Sequence, residues 1–447
     1  SRSGRWSRAC PCTWTGCKRG SSRPARALLR IFYTLLLYLL APLVLLRLAW
    51  RGLRAPDYWR RWPERFGSVA PALGKQVIWI HAVSVGEVQA AEPVVRALLE
   101  RYPDYSLLVS AVTPTGSARV TTLFGKDVAH VYAPYDLPGS VKRFFDRVRP
   151  QLAIVMETEL WPNLFHRCRQ GGVPLLLVNA RLSARSERGY GRVPGLVSET
   201  LSAVTEIVAQ GETDAARFAR LGADPARITV TGNLKFEQRV QPSLLERAEV
   251  LRRDWGVARP VWIAASTHEG EDELLLDVFA GLRKQFPGCL LVITPRHPER
   301  FETVAALCLQ HGYQTVLRSE HAACTPETAV YVADTMGELP LLYAASDVAF
   351  VGGSLVRHGG HNLLEPAALG IPVVTGPHVF NFQEITDLLV EAGAAVRIEN
   401  TEALLQTLAG WLGDANERHR VGQQGRQVVE RNRGALQDVM AIIDRYL

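Results

Sequence analysis

The sequence lacks the short motifs by which most nucleotide-dependent enzymes are recognised. It has no Gly-x-x-x-x-Gly-Lys-Ser/Thr phosphate-binding loop, no Gly-x-Gly-x-x-Gly dinucleotide fingerprint and no Asp-x-Asp pair. The first two absences argue against a P-loop NTPase and against a typical dinucleotide-dependent dehydrogenase. Without an Asp-x-Asp pair the sequence offers no carboxylates for a metal–nucleotide complex, and we expect no bound metal.

Acidic residues are missing from the first 56 positions, which hold eleven Lys and Arg residues. Since the whole chain carries a net charge of only +7, the rest of the chain is slightly acidic. A nucleic-acid-binding protein needs a basic face on its folded body, so no nucleic-acid partner is expected. The seven cysteines do not form the pattern of a disulfide framework, which fits a reducing, cytosolic environment.

Two segments precede the folded body. Residues 1–25 are basic and polar without periodicity, and they predict a disordered extension. From Ile31 to Leu46 the chain is uncharged and rich in leucine, with Arg30 and Arg47 at its ends. A membrane span needs about 20 apolar residues, and arginines that reach toward the headgroups can lengthen this run. We therefore predict a hydrophobic membrane-anchor helix over residues 26–52; because both flanks are positive, the pattern fits a spanning and an in-plane helix equally.

Beyond this anchor, short apolar runs alternate with helical stretches, which is typical of parallel α/β domains. The predicted buried strands are Val77–Ala82, Ser106–Val112, Leu152–Met156, Leu175–Val178, Glu206–Ala209, Val261–Ala265, Cys289–Ile293, Ala329–Val332, Val348–Val351 and Val373–Thr375. A polar stretch at 245–258 separates two series that begin alike. The pattern predicts an α/β fold of two Rossmann-like domains, residues 53–244 and 245–447, with a ligand cleft where they meet.

Carboxylates follow two of the predicted strands of the first domain. Glu87 comes after the Ser84–Gly86 turn at the start of a helix, where it either compensates the helix dipole or acts as a general base. Glu157 and Glu159 directly follow an apolar strand. Capping of the helix that starts at Pro162 would explain Glu159. Two carboxylates at a buried strand end are costly unless they face polar surroundings, so this pair predicts a polar cleft.

Polar residues also follow the predicted strands of the second domain. Arg296 is placed to contact a phosphate, and the amide of Gly337 is placed to face an anion or a base edge. Two glycine pairs, Gly352-Gly353 and Gly359-Gly360, predict close approach of the backbone to a phosphate, although loop caps give the same pattern. Asn362 and Glu365 are three positions apart, so they would share one face of a helix. The Glu365 carboxylate would then suit hydrogen bonds to both ribose hydroxyls. These features together predict a nucleotide site.

At these residues the sequence closely resembles the 3-deoxy-D-manno-oct-2-ulosonic acid (Kdo) transferases of Gram-negative lipopolysaccharide assembly. The resemblance rests on motifs that occur in the same order: Ser84–Glu87, Glu157–Asn163, Gly232–Lys235, Pro295–His297, Met336–Leu339 and Gly359–Pro366. It runs from the hydrophobic segment to the C-terminus and leaves residues 1–25 outside. It implies the GT-B architecture, in which an acceptor-binding first domain and a CMP-Kdo-binding second domain face a central cleft.

The resemblance also implies individual roles. Glu87 would be the general base, and Glu157 and Lys235 would stabilise the transition state. The residues implied to hold CMP are Pro295, Arg296, Met336, Gly337, Glu338, Asn362 and Glu365.

The implied reaction is an inverting transfer of Kdo from CMP-Kdo to the tetraacyl disaccharide 1,4'-bisphosphate precursor of lipid A (lipid IVA), without a metal or another cofactor. The enzyme would be bound to the inner membrane with its catalytic domains on the cytoplasmic face. The sequence leaves open how many Kdo units are added. The alternative is a GT-B transferase that uses a UDP-sugar, or a nucleotide-sugar epimerase of the same fold.

Overall fold

The computed structural model describes most of the chain. The described residues are 23–54, 59, 61–69, 74, 76–238 and 240–447. The predicted disordered extension at residues 1–25 therefore lies almost wholly outside the described residues. The last three of its residues belong to the first helix, which begins at Arg23.

The first helix, α1 (Arg23–Arg54), contains the predicted anchor and continues through Pro42. Within the described residues, Leu28–Trp50 is the one segment that is long and apolar enough to cross a membrane. Most of its leucines are exposed, whereas Tyr33 and Thr34 are half-buried against the first domain. An apolar helix is thus confirmed where the sequence predicts an anchor.

The first domain alternates strands and helices. In chain order they are α2 (Trp62–Arg65), β1 (Val77–His81), α3 (Val85–Arg101), β2 (Ser106–Ala111), α4 (Pro114–Phe124), β3 (Ala129–Tyr132), α5 (Pro138–Val148), β4 (Leu152–Met156), α6 (Pro162–Gly171), β5 (Leu175–Ala180), α7 (Ala184–Tyr190), α8 (Pro194–Ser202), β6 (Glu206–Ala209), α9 (Glu212–Arg220) and β7 (Ile228–Val230). Over the described residues these strands form one parallel sheet of seven, in the order β3-β2-β1-β4-β5-β6-β7.

The second domain repeats this alternation. Its elements are α10 (Pro242–Trp255), β8 (Val261–Thr267), α11 (Asp272–Gln285), β9 (Leu290–Pro295), α12 (Phe301–Gln310), β10 (Thr315–Leu317), β11 (Val330–Val332), α13 (Leu339–Ala344), β12 (Val348–Val351), α14 (Leu364–Ala368), β13 (Val373–Thr375), α15 (Gln383–Glu391), β14 (Ala395–Arg397), α16 (Thr401–Gly413), α17 (Ala415–Arg431) and α18 (Ala435–Ile443). As far as the structure describes the chain, its sheet is also parallel, with the order β10-β11-β9-β8-β12-β13-β14.

The chain divides into two compact units at a different place from the predicted boundary. One unit is Ser1–Val230 with Ile442–Leu447, and the other is Thr231–Ala441, whereas the sequence placed the division at 244/245 and gave the whole C-terminus to the second domain. The reason is packing: Phe236 lies in an apolar cluster with residues of β12 to β14, and α10 packs on α13. The stretch that looks like a polar linker is therefore largely a helix of the second domain.

All ten predicted strands are present, with ends that differ by one or two residues at most. Buried Val, Ile, Leu and Ala side chains form nearly the whole of the central strands, and helices cover both faces, as expected of parallel sheets. Four strands were not predicted: β3, β7, β10 and β14. Each of the four lies at an edge of its sheet. The predicted class of fold, two parallel α/β domains, is confirmed.

Candidate active-site residues in the two domains

Each sheet has a central point from which successive strands are added outward in opposite directions. Parallel α/β sheets bind ligands beyond the carboxyl ends of the strands that flank such a point. In the first sheet these strands are β1 and β4, and the loops after them carry Glu87 and Glu157–Glu159. In the second sheet they are β8 and β12, followed by His268–Glu271 and Gly352–Leu363. Glu87, Glu157 and Asn362 thus follow these flanking strands, whereas Arg296 follows β9 and the turn at Met336–Glu338 follows β11.

Glu87 lies in the first turn of α3 and is 8% exposed. Its carboxylate accepts hydrogen bonds from Val83 N at 2.8 Å and from Ser84 Oγ at 2.9 Å, and its own amide donates back to Ser84 Oγ. Burial raises the pKa of Glu87 to about 7; the charges of Glu159 and Glu157 raise it as well, and the two hydrogen bonds lower it. The residue therefore takes part in capping α3 and also has the pKa of a general base near neutral pH.

Glu157 and Glu159 follow β4 in a strained turn. Glu157 has a φ of 56°, in the left-handed region that non-glycine residues rarely occupy, and its amide donates to Val178 O at 2.9 Å. The Glu159 carboxylate accepts a hydrogen bond from Trp161 Nε1 at 2.7 Å. Burial raises the pKa of Glu159, and the neighbouring charge of Glu157 raises it too. Strain of this kind clusters at functional sites, which is consistent with the role that the resemblance implies for Glu157.

The expectation that Glu159 caps α6 is wrong, because a residue far away in sequence does so. Asp136 accepts hydrogen bonds from Asn163 N at 3.0 Å and from Leu164 N at 2.7 Å, in the first turn of α6. Tyr33 of α1 donates to the same carboxylate at 3.0 Å. Burial raises the pKa of Asp136 to about 7. The helix that follows the acidic turn is therefore held by a buried carboxyl group that also contacts the predicted anchor.

His81, at the end of β1, is a buried residue that the sequence did not single out. Its Nδ1 lies 2.9 Å from Ser110 Oγ, and that oxygen also accepts a hydrogen bond from Trp79 Nε1. Burial lowers the pKa of His81 to about 4, so the ring is neutral at pH 7. It packs edge-to-face on Trp161, the residue that binds Glu159.

In the second domain a buried carboxylate that was not predicted holds the loop after β12. Glu271 is fully buried, and its Oε2 accepts hydrogen bonds from His268 N at 3.0 Å and Gly353 N at 2.7 Å. Its Oε1 accepts from Ser354 N at 3.0 Å and Leu355 N at 2.9 Å. Four backbone donors on one carboxylate tie the loops after β8 and β12 together.

This arrangement corrects the prediction for the first glycine pair. The amide of Gly353 is used by Glu271, so it does not face a phosphate. Gly352 is required for packing, because a Cβ there would lie 2.9 Å from Ser266 O and 3.0 Å from the Glu271 carboxylate. Gly352-Gly353 therefore allows the loops after β8 and β12 to pack closely. The prediction of phosphate binding remains for Gly359-Gly360 only.

Imidazole rings and Arg296 gather at the same edge of the second sheet. The rings belong to His268, His297, His358 and His361. His268 Nε2 and His361 Nε2 are 2.9 Å apart, so one donates and the other accepts. Burial lowers the pKa of His268 to about 4 and that of His361 to about 3, and the charge of Arg296 lowers both further. The neutral rings of His268 and His361 therefore lie beside the cation of Arg296, an arrangement that favours an anionic ligand.

The other residues predicted to hold CMP lie on loops of the same domain. Pro295 is the buried last residue of β9, and Met336 is 60% exposed. Gly337 has a φ of 87°, and a Cβ there would meet no atom. The Glu338 carboxylate is bound by both nitrogens of the Arg318 fork at 3.0 Å, which lowers the pKa of Glu338 to about 2. The ion pair with Arg318 thus fixes the position of the Glu338 side chain.

Asn362 and Glu365 are brought together, although not on one helix. α14 begins at Leu364, and Asn362 precedes it, with its Oδ1 accepting a hydrogen bond from Leu364 N at 3.1 Å. Its Nδ2 donates to Glu365 Oε1 at 3.1 Å. The amide thus orients the carboxylate, as two-point bonding to a ribose requires.

Lys235 lies in a short 3-10 helix, Leu234–Phe236, that follows Asn233. Asn233 Oδ1 accepts a hydrogen bond from Lys235 N at 2.9 Å and so starts this turn. The sequence placed Lys235 in the first domain, but the residue belongs to the second unit. Lys235 and Arg296 are therefore cations of the same domain. Among the described residues, no group of three or more His, Cys, Asp or Glu side chains has the geometry to hold a metal ion.

Comparisons with known proteins identify the family and the fold. Residues 60–238 match the family described as 3-Deoxy-D-manno-octulosonic-acid transferase (kdotransferase), and residues 264–428 match the family Glycosyl transferases group 1. A UDP-GlcNAc 2-epimerase from Neisseria meningitidis has a related fold, with a TM-score of 0.56 and 14% identity over 83% of this chain and 100% of its own. That likeness concerns the fold alone.

Two relatives match nearly the full chain. A 3-deoxy-D-manno-octulosonic acid transferase of Haemophilus influenzae is 44% identical over 94% of this chain and 99% of its own length. A transferase of the same name from Bordetella pertussis is 38% identical over 93% of this chain and 99% of its own. The chain belongs to the 3-deoxy-D-manno-octulosonic acid (Kdo) transferases and is a glycosyltransferase of GT-B type that acts in lipopolysaccharide biosynthesis.

Proposed function

We propose that this enzyme transfers Kdo from CMP-Kdo, with inversion, to a hydroxyl group of the tetraacyl disaccharide 1,4'-bisphosphate precursor of lipid A. The observation that carries the proposal is Glu87: a buried carboxylate whose pKa is raised to about 7, in the first turn of the helix that follows β1, at the edge where the first sheet is expected to bind its ligand. A general base for a sugar hydroxyl needs these properties, because a pKa near the working pH leaves a substantial deprotonated fraction and still lets the group take up a proton.

The proposed reaction is a single displacement. Glu87 removes the proton from the acceptor hydroxyl as its oxygen attacks the anomeric carbon of Kdo. The bond from that carbon to the phosphate oxygen breaks on the opposite face, and CMP leaves with its electron pair. The proton ends on Glu87, and the new glycosidic bond has the inverted configuration. The rate is expected to rise with pH through about 7, because only the deprotonated carboxylate of Glu87 acts as the base.

The second domain supplies the donor site in this proposal. Arg296 binds the phosphate, Asn362 and Glu365 bind the ribose, and the turn at Met336–Glu338 faces the base through its backbone. When CMP departs, its phosphate gains one negative charge. Arg296 and Lys235 stabilise this charge electrostatically, and the reaction therefore needs no divalent ion.

We propose further that the anchor holds the enzyme at the inner membrane, with the catalytic domains on the cytoplasmic face. Support comes from the exposed apolar side of α1 and from the arginines in and beyond it. Basic residues next to an apolar helix favour the cytoplasmic side and bind anionic headgroups. The acceptor in this proposal is itself an anionic lipid, so the anchor holds the enzyme where its substrate lies.

Mass analysis of the reaction products tests this proposal. The full-length protein in detergent is incubated with the tetraacyl bisphosphate acceptor and either CMP-Kdo or UDP-sugars. We expect a product heavier by one or more Kdo units with CMP-Kdo alone, and the mass also counts the units added. Transfer from a UDP-sugar, or no product from CMP-Kdo with a folded protein, would contradict the proposal.

A further inference from the structure

Two histidines of the second domain form a hydrogen-bonded pair. His268 directly follows β8 and His361 lies in the loop after β12; their Nε2 atoms are 2.9 Å apart, and their ring planes are nearly parallel, at 6°. Burial lowers the pKa of His268 to about 4 and that of His361 to about 3, so both rings are neutral near pH 7. Each neutral ring carries one hydrogen, so one ring donates through Nε2–H, and the other accepts at Nε2 and holds its hydrogen on Nδ1.

This pair lies beside Arg296. The amide of Arg296 donates a hydrogen bond at 3.0 Å to the carbonyl oxygen of Thr267, the residue before His268. The ring of His297, the residue after Arg296, has its centroid 5.4 Å from that of His268. Besides burial and the neighbouring imidazoles, the charge of Arg296 lowers the pKa of both rings of the pair. A phosphate bound by Arg296 would therefore have the pair next to it.

The packing of His361 shows which of its two nitrogens a ligand can reach. A Cβ at Gly353 would lie 3.1 Å from both Cδ2 and Nε2 of His361, so this edge of the ring packs against Gly353 and is turned to His268. Nδ1 is on the opposite edge of the ring. His361 is half-buried, whereas His268 is only 8% exposed. His361 is therefore the accessible ring, and His268 lies behind it.

His268 is held in place from two sides. Its amide donates to Glu271 Oε2 at 3.0 Å, and the same carboxylate binds the loop after β12. The ring of His358 stacks on that of His268, with centroids 4.1 Å apart and an interplanar angle of 16°. A hydrogen bond to one nitrogen of an imidazole determines where the ring carries its hydrogen. A fixed His268 can therefore fix the tautomer of His361.

The donor carries a second anionic group beside its phosphate. In CMP-Kdo the carbon atom bonded to the phosphate oxygen also bears the carboxylate of Kdo, so the two anions enter the site side by side. Arg300, another cation near Arg296 in the chain, forms an ion pair with Asp272 and donates to Thr267 O at 2.9 Å. Because its guanidinium group is engaged within the protein, the imidazole pair is the better candidate for the carboxylate.

We propose that His361 binds the carboxylate of Kdo in the donor through Nδ1–H, and that His268 positions His361 by donating its Nε2–H to Nε2 of that ring. The proposal rests on the proposed function and adds the group that recognises the sugar as an acid.

A neutral hydrogen-bond donor suits this reaction. When CMP leaves, positive charge develops on the carbon that bears the carboxylate, and the negative charge of the carboxylate stabilises it. A cation bound to the carboxylate would oppose the developing charge. A neutral imidazole orients the carboxylate and leaves its charge available to the transition state.

Two substitutions of His361 in the full-length enzyme separate its nitrogens. The amide nitrogen of Asn can take the place of Nδ1, and that of Gln the place of Nε2. His361→Gln is expected to raise KM for CMP-Kdo about 10- to 100-fold, because a hydrogen bond to a charged group is lost. His361→Asn should raise it far less. Cytidine 5′-methyl phosphate, which has the phosphodiester of the donor but no carboxylate, should inhibit both variants as it inhibits the wild type.

The positioning role of His268 has its own test. His268→Gln keeps an N–H donor at the place of Nε2 and should nearly preserve KM for CMP-Kdo. His268→Leu fills similar space without a donor and should raise KM as His361→Gln does. His311→Gln, an exposed histidine between α12 and β10 and hence at the amino edge of the sheet, is the control and should change nothing.

Three results would overturn the inference. The first is an equal KM for CMP-Kdo in His361→Asn and His361→Gln. The second is a loss of affinity for cytidine 5′-methyl phosphate in His361→Gln as large as the rise in KM, which would assign His361 to the phosphate. The third is a raised KM in Arg357→Gln alone, which would assign the carboxylate to that exposed arginine.

The outcomes separate this inference from the proposed function. No transfer of Kdo by a wild type that binds CMP means that the proposed function fails. Normal transfer by the wild type, with KM for CMP-Kdo unchanged in His361→Gln and His268→Leu, means that the function stands and the inference is wrong. Wild-type melting temperature and wild-type affinity for cytidine 5′-methyl phosphate show that a variant is folded, so that a raised KM reports the contact with the carboxylate.

Discussion

The two domains share the arrangement of strands around the central point from which strands are added outward, but they gather opposite charges there. In the first domain Glu87, Glu157 and Glu159 converge, and burial together with mutual repulsion raises the pKa of Glu87 and of Glu159. In the second domain the corresponding edge holds Arg296 and a set of imidazoles, two of which have strongly lowered pKa values.

The difference shows how one fold serves two tasks. A buried carboxylate among other carboxylates attracts a proton, which is the task of a base. A surface of cations and neutral rings attracts an anion, which is the task of a site for a nucleotide phosphate. Even the buried acids differ: Glu271 is fully bound by four amides and is structural, whereas Glu87 shares a site with two like charges.

The largest effect should come from Glu87→Gln. The substitution preserves size and much of the capping of α3, but it removes the basic lone pair. We expect turnover to fall about 10²- to 10⁴-fold, with CMP affinity nearly unchanged because no donor contact is lost. Single-turnover transfer measures the catalytic rate, and titration with CMP measures the affinity. Nearly normal turnover would mean that Glu87 is only a helix-capping residue.

In the second domain, Arg296→Ala should weaken CMP binding about 10- to 100-fold, since a hydrogen bond to a charged group contributes roughly 1.5–3 kcal/mol. The affinity for cytidine, which has no phosphate, should hardly change. Calorimetric titration with both ligands measures the contrast. Arg253→Ala, an exposed arginine on α10, serves as the control, and an equal loss of cytidine affinity in Arg296→Ala would contradict the phosphate contact.

Glu365→Gln should give the complementary pattern. Because its proposed partner is the ribose, affinity for cytidine and for CMP should fall by the same factor, roughly 3- to 10-fold for one hydrogen bond. Asn362→Asp, which replaces the donor to Glu365 by a like charge, should weaken both ligands similarly. Cytidine binding at the wild-type level in Glu365→Gln would remove this residue from the ribose site.

The pH dependence of stability should reveal the raised pKa of Glu87 in the acidic cluster of the first domain. In the folded protein the pKa of Glu87 is raised from 4.5 to about 7. Between these two values the folded state therefore binds a proton that the unfolded state does not. The wild type loses up to about 3 kcal/mol of stability as the pH rises through this window. Glu87→Gln should therefore gain melting temperature relative to the wild type between pH 5 and pH 8. A constant difference across this range would show that the carboxyl group is not perturbed.

The smallest expected effect is that of a chelator. Since Arg296 and Lys235 are proposed to stabilise the leaving phosphate, thorough treatment with EDTA should leave the rate of transfer unchanged. If EDTA abolished activity and added magnesium restored it, a metal ion would be needed to stabilise the charge of the leaving phosphate.

Much of the fold follows from the sequence because the central strands are buried on both faces and read as continuous apolar runs. The strands that escaped prediction are edge strands with mixed exposure: β10 is only half-buried throughout, and β7 has two exposed residues of three. A run of only three residues is too short to be distinguished from a loop in one sequence. Neighbours in the sheet, and not the residues themselves, make them strands.

The candidate site was predictable to the extent that it lies in motifs directly after strands, as Glu157 and Arg296 do. Residues that act through partners distant in sequence were not. Asp136 binds the amides of Asn163 and Leu164, and Glu271 binds a loop about eighty positions away. An isolated acid carries no local signal of such a contact, so their roles, and the use of Gly353 by Glu271, become visible only in the folded chain.

The return of residues 442–447 to the first domain has a consequence for biosynthesis. Glu206, buried at the start of β6, receives hydrogen bonds from Arg445 at 3.0 Å and Tyr446 at 3.1 Å, and Asp444 bonds to Tyr102. The ribosome makes these partners only after the whole of Thr231–Ala441. Although α1 emerges first and could reach a membrane early, the first domain stays incomplete until the second has been synthesised. Nascent chains stalled before residue 442 should therefore be more sensitive to protease in the first domain than released protein, an order opposite to the usual N-terminal-first folding of tandem domains.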